Sequence, residues 1–139
     1  MACWAQGCQT DSPAPADDSF ARQVSAEVAA SHERYRVAAQ SFIDAIARGD
    51  TAAAYEKLAP SYTNMVSAES FAARIVKNRN FSQPLAVKVF GTSSTAGTTR
   101  ARCVLGDLGL TEIVFAERQD GPRISALSIA GAPALPPPE

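Results

Sequence analysis

The chain has one histidine, one tryptophan and three cysteines in 139 residues. A single histidine with no Cys/His cluster leaves too few ligands for a zinc centre. No apolar run approaches the roughly 20 residues a helix needs to cross a bilayer. A surplus of charge is missing as well, since 13 Lys plus Arg stand against 14 Asp plus Glu, spread along the chain. Nucleic-acid binders draw much of their affinity from basic groups gathered against phosphates, and no such gathering exists here. Lysine is scarce while Ala and Ser are abundant, the composition of a GC-rich bacterial genome. No cofactor is expected.

What remains is enough for one domain with its own core, because chains above about 80 residues seldom need disulfides or metals to hold. Residues 1–18 carry prolines and acids without apolar periodicity, which reads as a disordered arm. Residues 132–139 end in Pro136-Pro137-Pro138 and read as a disordered, Pro-rich tail. The domain is expected between them, over residues 19–131.

Three helical segments come first. Asp18 or Ser19 suits the cap of the first. Phe20, Val24, Val28, Tyr35, Ala38, Phe42, Ile43 and Ile46 then recur every three or four residues, the period of one helical face. Thirty residues make a helix of about 45 Å, longer than a domain of this size requires. Gly49 suits a left-handed C-cap and Asp50 the next N-cap. That capping account covers all of Arg48-Gly49-Asp50, a tripeptide that also spells an integrin-binding motif. A short helix from Thr51 to Leu58 ends at Pro60. A third is capped by Ser67, with Glu69 favourably placed for its dipole.

The period then changes to two, with β-branched residues. Strands are expected over Leu85–Phe90, Thr98–Leu105, Thr111–Arg118 and Arg123–Ala130. A Ser/Thr/Gly loop from Gly91 to Gly97 and turns at 106–109 and 119–122 separate them. Successive strands on short turns make an antiparallel meander. Helices followed by strands give an α+β class rather than α/β.

This order resembles the NTF2-like superfamily, the cystatin-like cone of helices packed on a curved, four-stranded antiparallel sheet. The segment from Ser41 to Tyr55, with Gly49-Asp50 between two helices, is similar to the opening of these domains. Leu58-Ala-Pro-Ser-Tyr62 followed by Ser67-Ala-Glu-Ser-Phe71 resembles their entry to the third helix. Asp120-Gly121-Pro122-Arg123-Ile124 stands where many members have a turn and then Trp-Lys-Ile; Pro122-Arg123 departs from that pattern. The resemblance covers about Gln40 to Gly131 and lies nearest the small bacterial members found as exported or lipoprotein domains. It implies a cone between helices and sheet, and often a dimer through the sheet. The fold alone implies no function, because isomerases, dehydratases, transport factors and inert modules share it.

Within such a cone the lining is expected from Tyr55, Tyr62, Asn64, Met65, Phe71, Phe81, Phe90 and Phe115. These residues make either an ordinary core or a pocket for a small apolar ligand, with Tyr62 or Asn64 orienting it. An isomerase or dehydratase would need an acid or histidine at the wall with a shifted pKa. His32 lies in the polar stretch Ser31-His32-Glu33-Arg34, which suits a surface histidine. Asp44 suits a surface pair with Arg48 four residues on. Glu112 and Glu117 fall on opposite strand faces, and no carboxylate dyad emerges. Arg100 and Arg102 share one face near Lys88, either as a patch for an anion or acidic partner or as the solvated side of the sheet. Asn80-Phe81-Ser82 fits a glycosylation sequon, of little weight in a bacterial chain.

Cys103 alternates with Ala101 and Leu105 as a buried small hydrophobe. Cys3 and Cys8 could form a disulfide, or Cys8 could carry a lipid after Ala5-Gln6-Gly7. The resulting expectation is a non-enzymatic interaction module of the bacterial cell envelope. It would be periplasmic or otherwise extracytoplasmic, homodimeric, engaged with a protein partner, and tied to a membrane only through a lipid. A small apolar ligand binder is the alternative, and an enzyme of the isomerase or dehydratase type comes third.

Overall fold

The computed structural model describes the backbone of residues 13–138 and the side chains of residues 21–138. Its architecture is α+β: four helices and a short 3-10 turn, then an open antiparallel sheet. The chain divides into two units after Ser31, inside the first helix. That helix, α1 (Pro13–Ala47), begins five residues ahead of Asp18. Proline is well suited to a first helical position, having no N–H to leave unpaired. Residues 13–18 are therefore helical rather than part of an arm. Residues 21–30 are exposed, which fits their Ala-rich, polar sequence.

The second unit, from His32 on, holds the core. At the end of α1, Asp50 N–H donates to Ala45 O at 2.8 Å and Gly49 N–H to Ile46 O at 3.0 Å. This paired closure needs the left-handed φ of +83° that Gly49 adopts without strain. Asp50 then turns its carboxylate to Ala53 N at 3.1 Å, capping α2 (Thr51–Glu56). The Arg48-Gly49-Asp50 tripeptide is thus a helix junction. α3 (Pro60–Thr63) starts on a proline, and α4 (Ala68–Ile75) is capped by Ser67 through Ser70 N. The 3-10 turn Arg79–Phe81 buries Phe81.

The sheet has five strands, not four: β1 (Val87–Thr95), β2 (Thr98–Leu105), β3 (Leu110–Arg118), β4 (Gly121–Ile129) and β5 (Ala132–Pro133), in sequential order. Two departures from the sequence reading account for its shape. The segment Gly91–Thr95 continues β1, leaving only Ala96-Gly97 as the turn; their φ angles of 51° and 80° suit a two-residue hairpin. A second two-residue turn, Ala130-Gly131, folds the tail back so that β5 pairs with Ser128 and Ile129. Beyond it Ala134, Leu135 and Pro136 are buried. Asn78 Nδ2 donates to Ala134 O at 3.2 Å, and the Tyr62 hydroxyl to Pro136 O. The Pro-rich end is a strap on the core, so the folded domain runs past residue 131.

Alternation puts Thr99, Ala101, Cys103 and Leu105 of β2 and Thr111, Ile113 and Phe115 of β3 on the buried inner face. Bulges at Phe90 in β1 and at Ser125 in β4 shift the register of the ladder, the device by which antiparallel strands bend and twist. The far edge of β4 is closed by Ala59 N–H to Ile124 O at 2.7 Å and Ile124 N–H to Lys57 O at 2.9 Å, and next to these by β5.

Candidate functional site

The space between the helices and the inner face of the sheet is filled by buried side chains. Phe71, fully buried, sits 6.3 Å from the Phe42 ring, 5.7 Å from Tyr55 and 6.4 Å from Tyr62 by centroid. Phe115 packs 5.0 Å from Tyr35. The tyrosine hydroxyls that could have oriented a ligand are committed to backbone oxygens. Tyr55 donates to Val66 O at 2.6 Å and approaches Thr63 O at 3.2 Å, while Tyr62 reaches Pro136 O. Burial pushes the Tyr62 phenol up to about 12.

Of the expected lining residues, Tyr62, Phe71, Phe81 and Phe115 are buried and Tyr55 is half-buried. Asn64, Met65 and Phe90 lie outside. Asn64 occupies the C-cap position of α3 and Met65 follows it at 59 % exposure. Phe90 is the extra residue of the β1 bulge, 48 % exposed on the outer face. Cys103 is buried, its thiol raised to about 11 by that burial. Cys3 and Cys8 lie outside the described residues.

A polar hub unforeseen from the sequence joins α1 to three strands. Glu117 continues the inner row Thr111, Ile113, Phe115 by one more step of two, which brings its carboxylate to Tyr35 and Thr99. The Tyr35 hydroxyl donates to Glu117 Oε2 in a short hydrogen bond, and Thr99 Oγ1 donates to the same oxygen at 2.9 Å. Arg34 Nη2 lies 3.0 Å from Oε1, and Arg34 Nη1 donates to the Tyr35 oxygen at 3.1 Å. The 3.1 Å approach of Tyr35 and Thr99 follows from their sharing one acceptor, and Ser94 Oγ completes the set 2.8 Å from Thr99 Oγ1. Burial alone would raise the Glu117 carboxyl, but donation from Tyr35, Thr99 and Arg34 outweighs it and leaves the group below its ordinary range. Burial and the adjacent carboxylate raise the Tyr35 phenol. An ionised carboxylate with three donors is a weak proton acceptor, and a raised phenol a weak acid. The hub serves as a clamp.

Beside it runs a groove of about 400 Å³ whose lining includes Arg34, Ser41, Glu56, Lys57, Asp120 and Arg123. Its charges are largely matched: Arg123 donates to Glu56 O at 2.8 Å and to the Asp120 carboxylate, which holds that carboxyl low. Asp44 does not pair with Arg48; it accepts from Gln40 Nε2 at 2.9 Å, and Arg48 leans to Asp50 at 3.8 Å. His32 is half-buried. Among the described residues no group of three or more His, Cys, Asp or Glu could hold a metal ion, and no helix is long and apolar enough to cross a membrane.

The outer face of the sheet is different, because none of its central side chains is buried. Val104, Val114, Ala116 and Ala126 form a small-residue middle, with Leu110 58 % exposed. Arg100 pairs with Glu112 at 3.2 Å, and the Arg102 guanidinium lies 5.9 Å from the Phe90 ring. Glu112 and Glu117 thus do fall on opposite faces. Comparison with protein families, curated proteins and solved structures gives no match.

Proposed function

We propose that this chain is a non-enzymatic, NTF2-like interaction module that works as a homodimer through the outer face of its sheet, in the bacterial cell envelope. The observation that carries the reading is the contrast between the two faces of one sheet. Inside, the aromatic rings fill the space under the sheet, the Tyr55 and Tyr62 hydroxyls spent on backbone oxygens and that of Tyr35 on Glu117. Outside, the Val104, Val114, Ala116 and Ala126 surface stays uncovered among the described residues, framed by Arg100, Arg102 and Glu112. Small side chains let a second sheet approach closely, and an Arg beside a Glu suits a two-fold contact in which each meets the other's copy. The order of helices and then a bulged antiparallel sheet over aromatic residues supports the NTF2-like assignment. The envelope setting rests on the Ala5-Gln6-Gly7-Cys8 sequence.

The filled interior weighs against a carrier of apolar ligands. The triply donated Glu117 weighs against an isomerase or dehydratase, which needs a carboxylate free to take a proton. Sedimentation velocity on the wild type and Val114→Glu tests the proposal. Val114 lies between Arg100 and Ala126 in the register, so the substitution sets like charges against each other across a two-fold axis. The wild type should sediment as a dimer and Val114→Glu as a folded monomer. A monomeric wild type overturns the homodimer; a dimeric Val114→Glu moves the interface elsewhere.

A further inference from the structure

We propose that the free edge of β1 docks an acidic, extended segment of a protein partner, which adds to the sheet as another strand and sets a carboxylate against Arg102. The inference rests on the interaction-module reading and names the chemistry of its partner. Among the described residues the long open edge of the sheet is that of β1, the opposite edge being the two-residue β5. The β4 side is taken by the 57–59 segment and by β5. Along β1, Gln40 of α1 covers the beginning, accepting from Val87 N at 2.9 Å and donating to Leu85 O at 2.8 Å. Past Val87, no strand among the described residues pairs with that edge. The tight Ala96-Gly97 turn makes Thr95 and Thr98 a hydrogen-bonded pair, and antiparallel alternation then directs the backbone groups of Ser94 and Thr92 outward from the sheet.

The bulge supplies the selectivity. It places both Phe90 and Gly91 opposite Arg102. Gly91 has no side chain, and Arg102 Nε and Nη2 lie 3.8 and 4.0 Å from where its Cβ would be. The guanidinium therefore crosses over β1. From β2 alone its charge would sit two strand spacings, roughly 9–10 Å, from an added strand; lying over Gly91 it is about one spacing away. Arg100 is engaged by Glu112, but among the described residues no carboxylate pairs with Arg102. A hollow of about 270 Å³ bordered by Gly91, Thr92, Ser93, Arg100, Arg102 and Glu112 gives an incoming side chain room. Lys88, Arg100 and Arg102 against Glu112 leave this corner positive in a chain of net charge −1. That excess argues for an acidic partner and against a second copy of β1, which would bring like charges together.

The test is an amide NMR titration of the full chain with a synthetic peptide of alternating Glu and Val, and with its Lys-Val counterpart. The Glu-Val peptide should shift the amides from Val89 to Thr95 and slow exchange at Thr92 and Ser94, while the Lys-Val peptide should not. Arg102→Glu should weaken binding at least about tenfold, the effect of losing one charge-assisted contact. Thr92→Pro should do the same by removing an outward donor, a change an edge strand tolerates. Equal binding by both variants, equal binding of the Lys-Val peptide, or shifts confined to β3 and β4 would overturn the inference. So would β1 shifts that grow with protein concentration alone, the mark of a second copy. Thr92→Pro, which lies off the outer-face patch, should still sediment like the wild type. Lost peptide binding in an intact dimer leaves the Proposed function standing, whereas a monomeric wild type that binds the peptide leaves the edge site standing.

Discussion

Replacing Phe71 by alanine tests most severely whether the cone is filled. The ring is wholly buried and stands within 6.4 Å of three other aromatic rings. Truncating a buried phenylalanine costs about 3–5 kcal/mol, the lost transfer energy plus a cavity its neighbours cannot close. Each aromatic pair adds about 0.5–1.5 kcal/mol beyond the area buried, which places this position toward the upper end. A domain of this size has about 5–15 kcal/mol in total, so the variant should remain folded at low temperature but lose much of its margin. Urea unfolding followed by circular dichroism should show a lower midpoint with an unchanged slope, since the area exposed on unfolding hardly changes. The space left is apolar, walled by Phe42, Tyr55 and Tyr62, and should admit benzene, as dry engineered cavities do. A loss below about 1 kcal/mol, or a wild type that binds benzene as well as the variant, would refute the reasoning.

The remaining predictions concern the clamp and the strap. The Glu117 carboxyl is depressed in the fold, so its contribution is complete above the ordinary value of 4.5 and is lost as pH falls through the folded value. Glu117→Gln should flatten the acid limb of a stability–pH curve below pH 4.5, and an unchanged limb would contradict the three-donor geometry. The Tyr35 phenol is raised, so its contribution holds up to the ordinary value of 10.0 and is lost as pH rises through the folded one; Tyr35→Phe should flatten that alkaline limb in the same titration. Tyr62→Phe removes the donor to Pro136 O and should cost about 1 kcal/mol. Deleting residues 134–139 should cost more, because it also uncovers the contacts of Ala134 and Leu135; equal stability by urea unfolding would return the tail to the solvent.

The local signals proved the most legible. Gly49-Asp50 and Ser67 act where their capping chemistry requires, whereas Pro60, which reads as the end of one helix, begins a further short one, α3; the change of period from 3.6 to two separates helices from sheet. Segments failed where tertiary pairing overrode composition. Gly91-Thr-Ser-Ser-Thr95 looks like a loop, yet β2 supplies a ladder for it, and a bulge conceals the change of register. The tail looks disordered because prolines remove donors, but Pro133 sits on an edge strand where none is missed. The Tyr35–Glu117 contact spans 82 residues, and only the pairing of β2 with β3 reveals it. Its faint signal was the two-residue step from Phe115 to Glu117. Residue type alone points Met65 and Phe90 inward, no periodicity supports either, and both are exposed.

Native mass spectrometry of the purified full chain tests the central claim most directly, since one spectrum reports subunit number and bound molecules together. An interaction module with a filled cone should appear as a dimer of unadorned subunits. A monomer carrying a discrete small-molecule adduct that departs on unfolding would contradict both halves of the account.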